Sequence, residues 1–591
     1  MEDQEILEVC KQEILSECDI EKNIQGLFDN SLKVEEDSEA GSDLSDEAIE
    51  PNYFDSASEE NISDDEENIK TYAKDFYVGR DNVSTWMKTK HAKSEETKTM
   101  DITKEIPGPT YCVKNLSELE LFQKIIDISM LEDIVTHTNT YIESLRSNHD
   151  YARSRDIKDT NTIELMAYLG LLFLLGLKKS NFANVKEIWS NDGTGIEITR
   201  AAMSYKRFLF LTRCLRFDNK ATRDDRRKLD KLAAIRSFFD KFVENSQASF
   251  KLSEFVTIDE MLHPFRGKCA WIQNMPRKPA KYGLKIYALC DAKTFYTFNL
   301  EIYCGEQPDG PYMVSNEPMD VVKRLVKPIE NCHRNLTTDN YYTSVALADY
   351  LLQKKITLIG AIKKYNQEIP SEFLPNKSRV THSTLFGFQS NKMLASYVPH
   401  KNRAIILLST KHNEGKIYEG TNKPEVIIDY NFTKCGVETV DKLCTTYTVS
   451  RKSKRWPCAI FFFLLNVAGI NAYVLYSFTK TSVASSRRHF LKSLAISLMK
   501  PHLQYRATLP LPMHIAAFLK CNYSQSTATA ENNTTEQQSA KRGTCRLCVM
   551  EKIRTTASMK CSKCFSFTCK KHSVVNVVCL DCEHATHSNL M

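Results

Sequence analysis

The stretch FVTIDE, residues 255–260, decides the fold because it is a short β-branched run that carries an aspartate near its end. Two more apolar, β-rich runs follow at 284–290 and 295–303, and turn residues bound each of them. Runs of this length and composition predict three consecutive β-strands. Alternating helix and strand patterns then continue to a strand-like run at 357–362. Three sequential strands followed by alternating helices and strands is the order of an RNase H-like α/β core.

Acidic residues recur at defined points of this predicted core. Asp259 lies in the first strand, Asp339 directly follows the strand-like run 335–338, and Glu438 and Asp441 lie in a predicted helix. Each acid alone is weak evidence, because an aspartate after a strand is usually a turn or helix cap. Together, carboxylates on two strand ends and one helix match the oxygen ligands that hard divalent cations prefer. Such a site suits phosphodiester chemistry assisted by two metal ions.

The charges are divided unevenly along the chain. Residues 1–67 hold 24 Asp and Glu against three Lys, a balance of −21, so the rest of the chain carries +26 to give the net charge of +5. A basic body indicates a polyanionic partner, most simply nucleic acid. A solvated basic surface without a partner is the alternative that charge alone leaves open.

Composition and periodicity divide the chain into successive segments. The acidic, serine-rich N-terminus cannot bury enough apolar area to offset chain entropy, which predicts disorder. The α/β core is interrupted by a strand-containing insertion and enclosed by two helical parts. The predicted bounds are a disordered acidic tail at 1–95, a helical domain at 105–253 and 448–523, an RNase H-like core at 254–363 and 427–447, an insertion domain at 364–426, a linker at 524–541 and a cysteine-rich zinc-finger domain at 542–582.

Apolar residues at three- and four-residue spacing predict helices in the first helical part. These helices cover 116–136, 163–177, 205–215 and 229–242. Basic residues on or beside the polar faces of the last two suggest a helical domain that faces DNA, whereas incidental charge on packed helices is the alternative. The basic residues are Lys206, Arg207, Arg213, Arg226, Arg227 and Lys228.

Residues 457–476 form the one segment apolar enough to suggest a membrane span. The segment contains Asn466, Gly469 and Asn471, and polar side chains in lipid need partners. We therefore predict a buried core helix and no membrane partner. The N-terminus is acidic and does not resemble a signal peptide, which favours a reducing compartment in which clustered thiols bind zinc.

A cysteine-rich module near the C-terminus predicts two structural zinc sites. Four ligand pairs at two-residue spacing lie within 38 residues, and eight ligands suit two closed tetrahedral Zn²⁺ sites. The pairs are Cys545 and Cys548, Cys561 and Cys564, Cys569 and His572, and Cys579 and Cys582. Their alternation suggests a cross-brace, in which the first and third pairs share one ion and the second and fourth share the other. Sequential pairing stays open, and His584 and His587 could substitute as ligands.

A basic strip precedes the apolar helix. Cations beside an aromatic ring suit a DNA strand with one base stacked on the ring, which is worth about 1–3 kcal/mol per base. The alternative is a helix-entry loop whose tryptophan packs in the core, and a proline in the first helical turn fits that reading. The strip consists of Arg451, Lys452, Lys454 and Arg455, followed by Trp456 and Pro457.

Five ordered motifs resemble the piggyBac transposase family. They are TIDE at 257–260, PAKYGLK at 279–285, TDNYYTS at 338–344, GVETVD at 436–441 and SRKSKRWP at 450–457. The resemblance runs from about residue 105 to the C-terminus and includes the cysteine module. It implies a DDE/D transposase with an RNase H-like core, in which the helical parts serve dimerisation and DNA binding.

The resemblance also implies roles for individual residues. In that family the acids matching Asp259 and Asp339 bind catalytic Mg²⁺ or Mn²⁺, and a Gly-Val-Asp-x-x-Asp motif supplies the third acid and a nearby fourth. Here Glu438 stands at the first acid of that motif, while Asp441 is kept. One extra methylene displaces the carboxylate by about an ångström, and such a displacement can cost about 100-fold in rate. The resemblance places Trp456 beside the active site, which favours its role in handling the DNA end.

The function implied is that of a nuclear homodimer that cuts double-stranded DNA at transposon ends, passes through hairpin ends and joins them at a TTAA target. The cysteine-rich module is implied to bind the end DNA, with basic charge from Lys541, Arg542, Arg546, Lys552 and Arg554. Two other functions stay open. One is a domesticated, transposase-derived DNA- or chromatin-binding protein without cleavage activity, and a weaker one is a ubiquitin ligase built on the terminal module.

Overall fold

The computed structural model describes residues 75–90, 102–103, 105–146, 157–181, 183–479, 486–523 and 543–551, together with 553, 555–557, 559–560 and 566–573. The helices are α1 Glu118–Ile125, α2 Ile128–Arg146, α3 Thr162–Leu177, α4 Val185–Ile188, α5 Glu197–Ala202, α6 Tyr205–Cys214, α7 Arg223–Arg227, α8 Arg236–Ser249, α9 Pro318–Val326, α10 Val345–Gln353, α11 Glu425–Thr433, α12 Gly436–Thr446, α13 Trp456–Ser477, α14 Arg487–Ala507, α15 Met513–Tyr523 and α16 Arg546–Met550.

The strands are β1 Phe76–Val78, β2 Thr85–Met87, β3 Gly108–Pro109, β4 Phe250–Lys251, β5 Phe255–Pro264, β6 Gln273–Met275, β7 Lys281–Asp291, β8 Thr297–Ile302, β9 Asn335–Thr338, β10 Thr357–Ala361, β11 Thr384–Gln389, β12 Lys392–His400, β13 Arg403–Ser409, β14 Ile417–Tyr418, β15 Lys423–Pro424, β16 Gly543–Thr544, β17 Thr556–Ala557, β18 Met559–Lys560 and β19 Phe567–Thr568.

A mixed sheet with the strand order β8-β7-β5-β9-β10 forms the centre of the molecule. The first three strands in the chain, β5, β7 and β8, pair antiparallel, whereas β9 runs parallel to β5 and β10 runs parallel to β9. Parallel neighbours need a crossover connection, and α10 supplies it between β9 and β10. This is the strand order of an RNase H-like core, so the predicted fold class is confirmed.

The predicted insertion extends the same sheet beyond β10. β13 pairs antiparallel with β10, and β12 and β11 follow it outward in turn. A separate small core packs between these strands and α11, and it is built from apolar side chains such as Leu407, Val426 and Ile427. The insertion therefore packs against α11, the helix that precedes α12 with Glu438 and Asp441.

A hairpin of β1 and β2 closes the far edge of the sheet, and the prediction of disorder is wrong for residues 75–90. The two strands pair with each other, and Met87 pairs with Phe388 of β11. The Trp86 ring is only 1% exposed, and its Nε1 donates to the carbonyl oxygen of Glu368 at 2.9 Å. The prediction failed because the acidic composition of the preceding segment outweighed a short apolar run in which Trp86 becomes buried.

The same hairpin holds the loop that follows β10. The Arg80 guanidinium donates to the carbonyl oxygen of Asn366 at 2.8 Å, to that of Ile369 at 3.3 Å and to that of Lys364. Three carbonyl oxygens of one loop therefore converge on one cation. A segment near residue 80 thus fixes backbone some 280 positions later, a contact that local sequence patterns do not report.

α13 is the central helix of the main core, and apart from its two ends every residue in it is buried. Among the described residues it is the one helix long and apolar enough to cross a membrane, and the protein buries its apolar stretch completely. The Asn471 side chain accepts from the backbone N–H of Thr297 at 2.9 Å and donates to its carbonyl oxygen at 2.8 Å. Asn466 accepts from the N–H of Val449 at 2.9 Å. Both polar side chains find partners in the protein, and the predicted core helix is confirmed.

Two predicted helices have different bounds in the structure. The first is divided into α1 and α2, because Ile126 is extended and the Asp127 carboxylate accepts from the N–H of Met130 at 3.0 Å to start α2. The fourth begins only at Arg236. Ahead of it, the Asp230 carboxylate caps a turn and pairs with the Arg236 guanidinium at 2.8 Å.

Some of the basic residues predicted to face DNA in the first helical part form ion pairs within the protein, and the others are exposed. Arg207 is buried and forms two hydrogen bonds with Glu164, at 2.9 and 2.6 Å. Arg226 pairs with the buried Asp218 at 2.6 Å. A buried guanidinium needs such a partner, because an unpaired buried charge is costly. Among the others, Lys206, Arg213, Arg227 and Lys228 are exposed.

The hairpin yields the first prediction. Replacing Trp86 with alanine removes a buried ring and should lower the local free energy of opening by about 3–5 kcal/mol. Amide hydrogen exchange at Asp81, whose N–H donates to the carbonyl oxygen of Gln367, should then become at least about 100-fold faster. The matched control is Val83→Ala, because Val83 lies in the same hairpin and is 80% exposed. Equal exchange in both variants would contradict the hairpin's anchoring role.

Candidate active site

Parallel pairing of β5 and β9 brings the first two acids together. The register joins Val256 to Leu336 and continues to a final pair, Ile258 with Thr338. Asp259 and Asp339 are each the next residue after that pair, so they lie side by side where the paired parallel strands end. The carboxyl ends of parallel strands are the usual place for ligand sites in open α/β sheets.

The end of α11 is bonded directly to β5 and β9. The Thr257 hydroxyl donates to the carbonyl oxygen of Thr433 at 2.6 Å, and the hydroxyls of Thr337 and Thr433 lie 2.7 Å apart. At Gly436, a Cβ would lie 2.8 Å from the Thr257 hydroxyl, so only glycine allows this approach. These contacts dock the start of α12 against the strand segment that precedes the acids.

α12 carries the two remaining predicted acids in different environments. Asp441 is half-buried, and burial raises its pKa to about 6, opposed by Lys278 and reinforced by Glu438. The Glu438 side chain is 56% exposed and pairs with Lys442 at 3.2 Å, one helical turn away. The structure therefore places Asp441 at the inner position and Glu438 at the rim.

The acids on the strands are electrostatically crowded. Burial raises the pKa of Asp259 well above its ordinary value, with further increases from Glu260 and Asp339 and opposition from Lys278. Burial and the Glu260 carboxylate raise the pKa of Asp339 to about 6. Backbone groups fix both carboxylates, because Asp259 accepts from the N–H of Glu260 at 2.7 Å and Asp339 accepts from that of Tyr341 at 2.9 Å.

The sequence patterns assign no role to two residues of the site, although one of them, Glu260, lies in the TIDE motif. Lys278, in the connection between β6 and β7, places its ammonium 3.8 Å from the Asp259 carboxylate and donates to the carbonyl oxygen of Glu260 at 2.6 Å. Burial works against the charged ammonium, but the carboxylates of Asp259 and Glu260 outweigh it, and the pKa of Lys278 lies above its ordinary value. Glu260 also accepts from the Tyr342 hydroxyl at 3.0 Å, which ties β5 to the turn after β9.

The carboxylates fit a divalent metal. Their oxygens are hard donors. Burial, with a smaller contribution from neighbouring carboxylates, raises the pKa of each of Asp259, Asp339 and Asp441, so an added cation would be stabilised there. Asp259, Asp339 and Asp441 are the residues that would hold such a cation.

The basic strip before α13 has two exposed cations and two that bond within the protein. Arg451 is 9% exposed and donates to the carbonyl oxygen of Ser180 at 2.7 Å, and burial lowers its pKa to about 10. Arg455 donates to the carbonyl oxygens of Arg213 and Leu215. The predicted DNA contact of Arg451 is therefore corrected, because its guanidinium braces a loop, whereas Lys452 and Lys454 are exposed.

Trp456 begins α13 and is half-buried against Trp271. Their ring centroids lie 5.2 Å apart at 68°, an edge-to-face contact. Pro457 follows in the first turn, where its missing N–H costs no hydrogen bond. Trp456 therefore packs at the start of the helix, as the alternative prediction states. Its ring is only partly buried, so part of the ring stays accessible.

Four of the predicted zinc ligands lie together in the described part of the C-terminal module. The ligand atoms of Cys545, Cys548, Cys569 and His572 all lie within 4.8 Å of one another. The Cys548 sulfur is 3.6 Å from that of Cys569 and 3.4 Å from His572 Nδ1. A tetrahedral ion with Zn–S near 2.3 Å and Zn–N near 2.0 Å requires ligand separations of about 3.5–3.8 Å. The set is compatible with zinc, and the first pair joins the third, as a cross-brace requires.

A carboxylate supports the histidine of this cluster. The Glu551 carboxylate lies 3.3 Å from His572 Nε2, which directs Nδ1 toward the cysteines in the pattern common to zinc-bound histidines. Local sequence patterns do not indicate Glu551, because it lies 21 positions before His572. The second predicted set, Cys561, Cys564, Cys579 and Cys582, lies outside the described residues, as do Lys541, Arg542, Lys552 and Arg554.

The fold and its comparisons define the chain as a transposase. The sequence model of the family described as Transposase IS4 matches residues 117–473, more than half of the chain. The chain belongs to this family, and it is of the piggyBac type. A solved piggyBac transposase, in a synaptic complex with hairpin DNA, matches with a TM-score of 0.70 and 31% sequence identity over 81% of this chain and 100% of that chain.

Curated relatives are more distant. PiggyBac transposable element-derived protein 3 of Homo sapiens is 22% identical over 378 residues, which cover 60% of this chain and 60% of that protein. The chimeric ERCC6-PGBD3 protein of Homo sapiens is also 22% identical over 378 residues, covering 60% of this chain and 34% of that protein. The chain thus spans less than two thirds of either relative.

The zinc cluster yields the second prediction. Zinc-loaded full-length protein should lose about one zinc equivalent on Cys569→Ser, because three ligands no longer close a tetrahedral site, and should keep the ion of the other set. The matched control is Cys521→Ser, an exposed cysteine on α15 outside the cluster. Metal content is measured by elemental analysis after dialysis. Equal zinc content in the two variants would show that Cys569 is not a ligand.

Proposed function

We propose that this chain is a DNA transposase that cuts double-stranded DNA at the ends of its element and transfers the freed ends to a new target. The observation that carries the proposal is the position of Asp259 and Asp339, side by side after the last parallel pair of β5 and β9. The family of the chain and the hairpin-DNA complex of its solved relative support this activity.

The acids have distinct roles in this proposal. Asp259, Asp339 and Asp441 hold Mg²⁺ or Mn²⁺. The bound metal supplies an activated oxygen nucleophile and neutralises charge on the leaving oxygen. The N–H groups of Glu260 and Tyr341 keep the two strand carboxylates oriented before DNA arrives, so little reorganisation is needed at the reaction.

The identity of the third acid follows from burial in this proposal. Asp441 is half-buried on the inner face of α12, whereas Glu438 is 56% exposed and engaged with Lys442. We assign the working third position to Asp441 and a rim position to Glu438. The longer side chain of Glu438 then need not reproduce the geometry of the aspartate that the family has at that position.

DNA binding is assigned to the basic surface around the site. The exposed Lys452 and Lys454 contact strand phosphates, and the partly open Trp456 ring stacks on an unpaired base near the cleavage site. We further propose a homodimer with hairpin intermediates and a TTAA target, two Zn²⁺ in the terminal module, and a nuclear location that follows from a chromosomal substrate.

The second candidate function is DNA or chromatin binding without cleavage. The departure at Glu438 favours it, because this acid differs from the family's motif and lies in solvent. The basic surfaces and the zinc cluster would serve such a protein unchanged.

Cleavage of the element's own labelled ends in Mg²⁺ or Mn²⁺ tests the proposal. Asp259→Asn and Asp339→Asn should each reduce cleavage by at least about 100-fold, because each removes a metal-binding charge. Asp441→Asn should do the same, whereas Glu438→Gln should retain most of the wild-type rate. DNA affinity should stay nearly constant, because it comes from the basic surfaces.

The control for these variants is Glu419→Gln, an exposed acid in the insertion. If Glu438→Gln is inactive and Asp441→Asn is active, the assignment of the third acid is reversed. If the wild type and Glu438→Asp both bind the ends without cutting them, the binding function replaces the enzyme.

A further inference from the structure

The connection between β6 and β7 carries Lys278, whose ammonium lies beside the acids of the site. Lys278 lies between Pro276 and Pro279, whose rings fix the backbone of this short connection. Its N–H donates to the carbonyl oxygen of Met275 at 3.0 Å, and its own carbonyl oxygen accepts from Lys281 at 2.9 Å. The backbone at Lys278 is thus held by local bonds, and its side chain projects toward β5.

The ammonium reaches groups on two different elements. It lies 3.8 Å from the Asp259 carboxylate and donates to the carbonyl oxygen of Glu260 at 2.6 Å, both on β5. It also interacts electrostatically with Asp441 and Glu438 on α12. The Lys278 side chain is only 23% exposed, so little water screens these interactions. The Lys278 ammonium therefore interacts with acids on both β5 and α12, the two elements that a bound metal is expected to bridge.

We propose that Lys278 is an internal counter-cation, which occupies the charge position of the metal in the metal-free protein and is displaced when a divalent cation binds. The inference rests on the proposed function, because it concerns the same acids. An ammonium beside Asp259 and a divalent cation on Asp259 repel each other, so the two compete for one carboxylate. The displaced side chain, still anchored at its backbone, becomes a donor for a phosphate oxygen of the DNA strand.

Lys278 is thus a positioning residue with two effects of opposite sign. In the metal-free protein it keeps the carboxylates from repelling one another, and it opposes metal entry. In the loaded complex it favours DNA, so metal and substrate reinforce each other's binding. A residue that only packs the connection would weaken both functions when it is replaced.

The test measures Mn²⁺ binding by electron paramagnetic resonance on the zinc-loaded full-length protein without DNA. Lys278→Gln should tighten Mn²⁺ binding by about fivefold to tenfold, because a competing positive charge is removed. It should also lower the midpoint of thermal unfolding of the metal-free protein. Lys278→Arg keeps the charge and should bind Mn²⁺ as the wild type does.

The matched control is Arg277→Gln, the exposed neighbour, which loses one charge outside the site and should leave Mn²⁺ affinity unchanged. Unchanged or weaker binding by Lys278→Gln, with normal binding by the wild type, overturns the inference while the proposed function stands. If Asp259→Asn binds Mn²⁺ as tightly as the wild type, the acid site itself is wrong, and the proposed function fails with it.

Discussion

The parallel pairing of β5 and β9 is the constraint on which the rest of the structure depends. It ends at Ile258 and Thr338, and this register alone decides that Asp259 and Asp339 are neighbours. A shift by one residue would turn one aspartate to the other face of the sheet. Buried threonines of the same two strands bond to Thr433 at the end of α11, so the register also sets where α12 begins.

The remaining elements hold this arrangement from outside. α13 fills the core and bonds through Asn471 to the backbone of β8, which links the helical domain to the sheet. The insertion packs on α11 through its own small core, and the N-terminal hairpin clamps the loop after β10 through Arg80. Segments far apart in the chain thus pack around the central sheet, and contacts between distant residues hold its strands and helices in place.

Local patterns predicted much of this, and distance along the chain explains what they missed. Short β-rich runs correctly predicted β5, β9 and the place of Asp259 in β5. Cysteine pairs predicted the cluster of Cys545, Cys548, Cys569 and His572. Both signals lie within a few residues of sequence. Lys278, Glu551 and the Arg80 hairpin were missed because each acts on a partner that is distant in sequence. Arg451 was predicted to contact DNA and Arg207 was grouped with a basic surface, but both are buried. Composition does not distinguish a buried cation from an exposed one.

Metal-directed cleavage of the polypeptide tests the central claim most directly. Fe²⁺ bound in place of the native metal, with ascorbate and peroxide, cuts backbone close to the ion, and mass spectrometry maps the cuts. The proposed metal site predicts cuts near residues 259, 339 and 441 together, all suppressed by excess Mg²⁺, because the register joins the first two segments and the Lys278 ammonium interacts with both Asp259 and Asp441. Cuts at only one of these segments, or a pattern that Mg²⁺ does not suppress, would contradict a shared metal site.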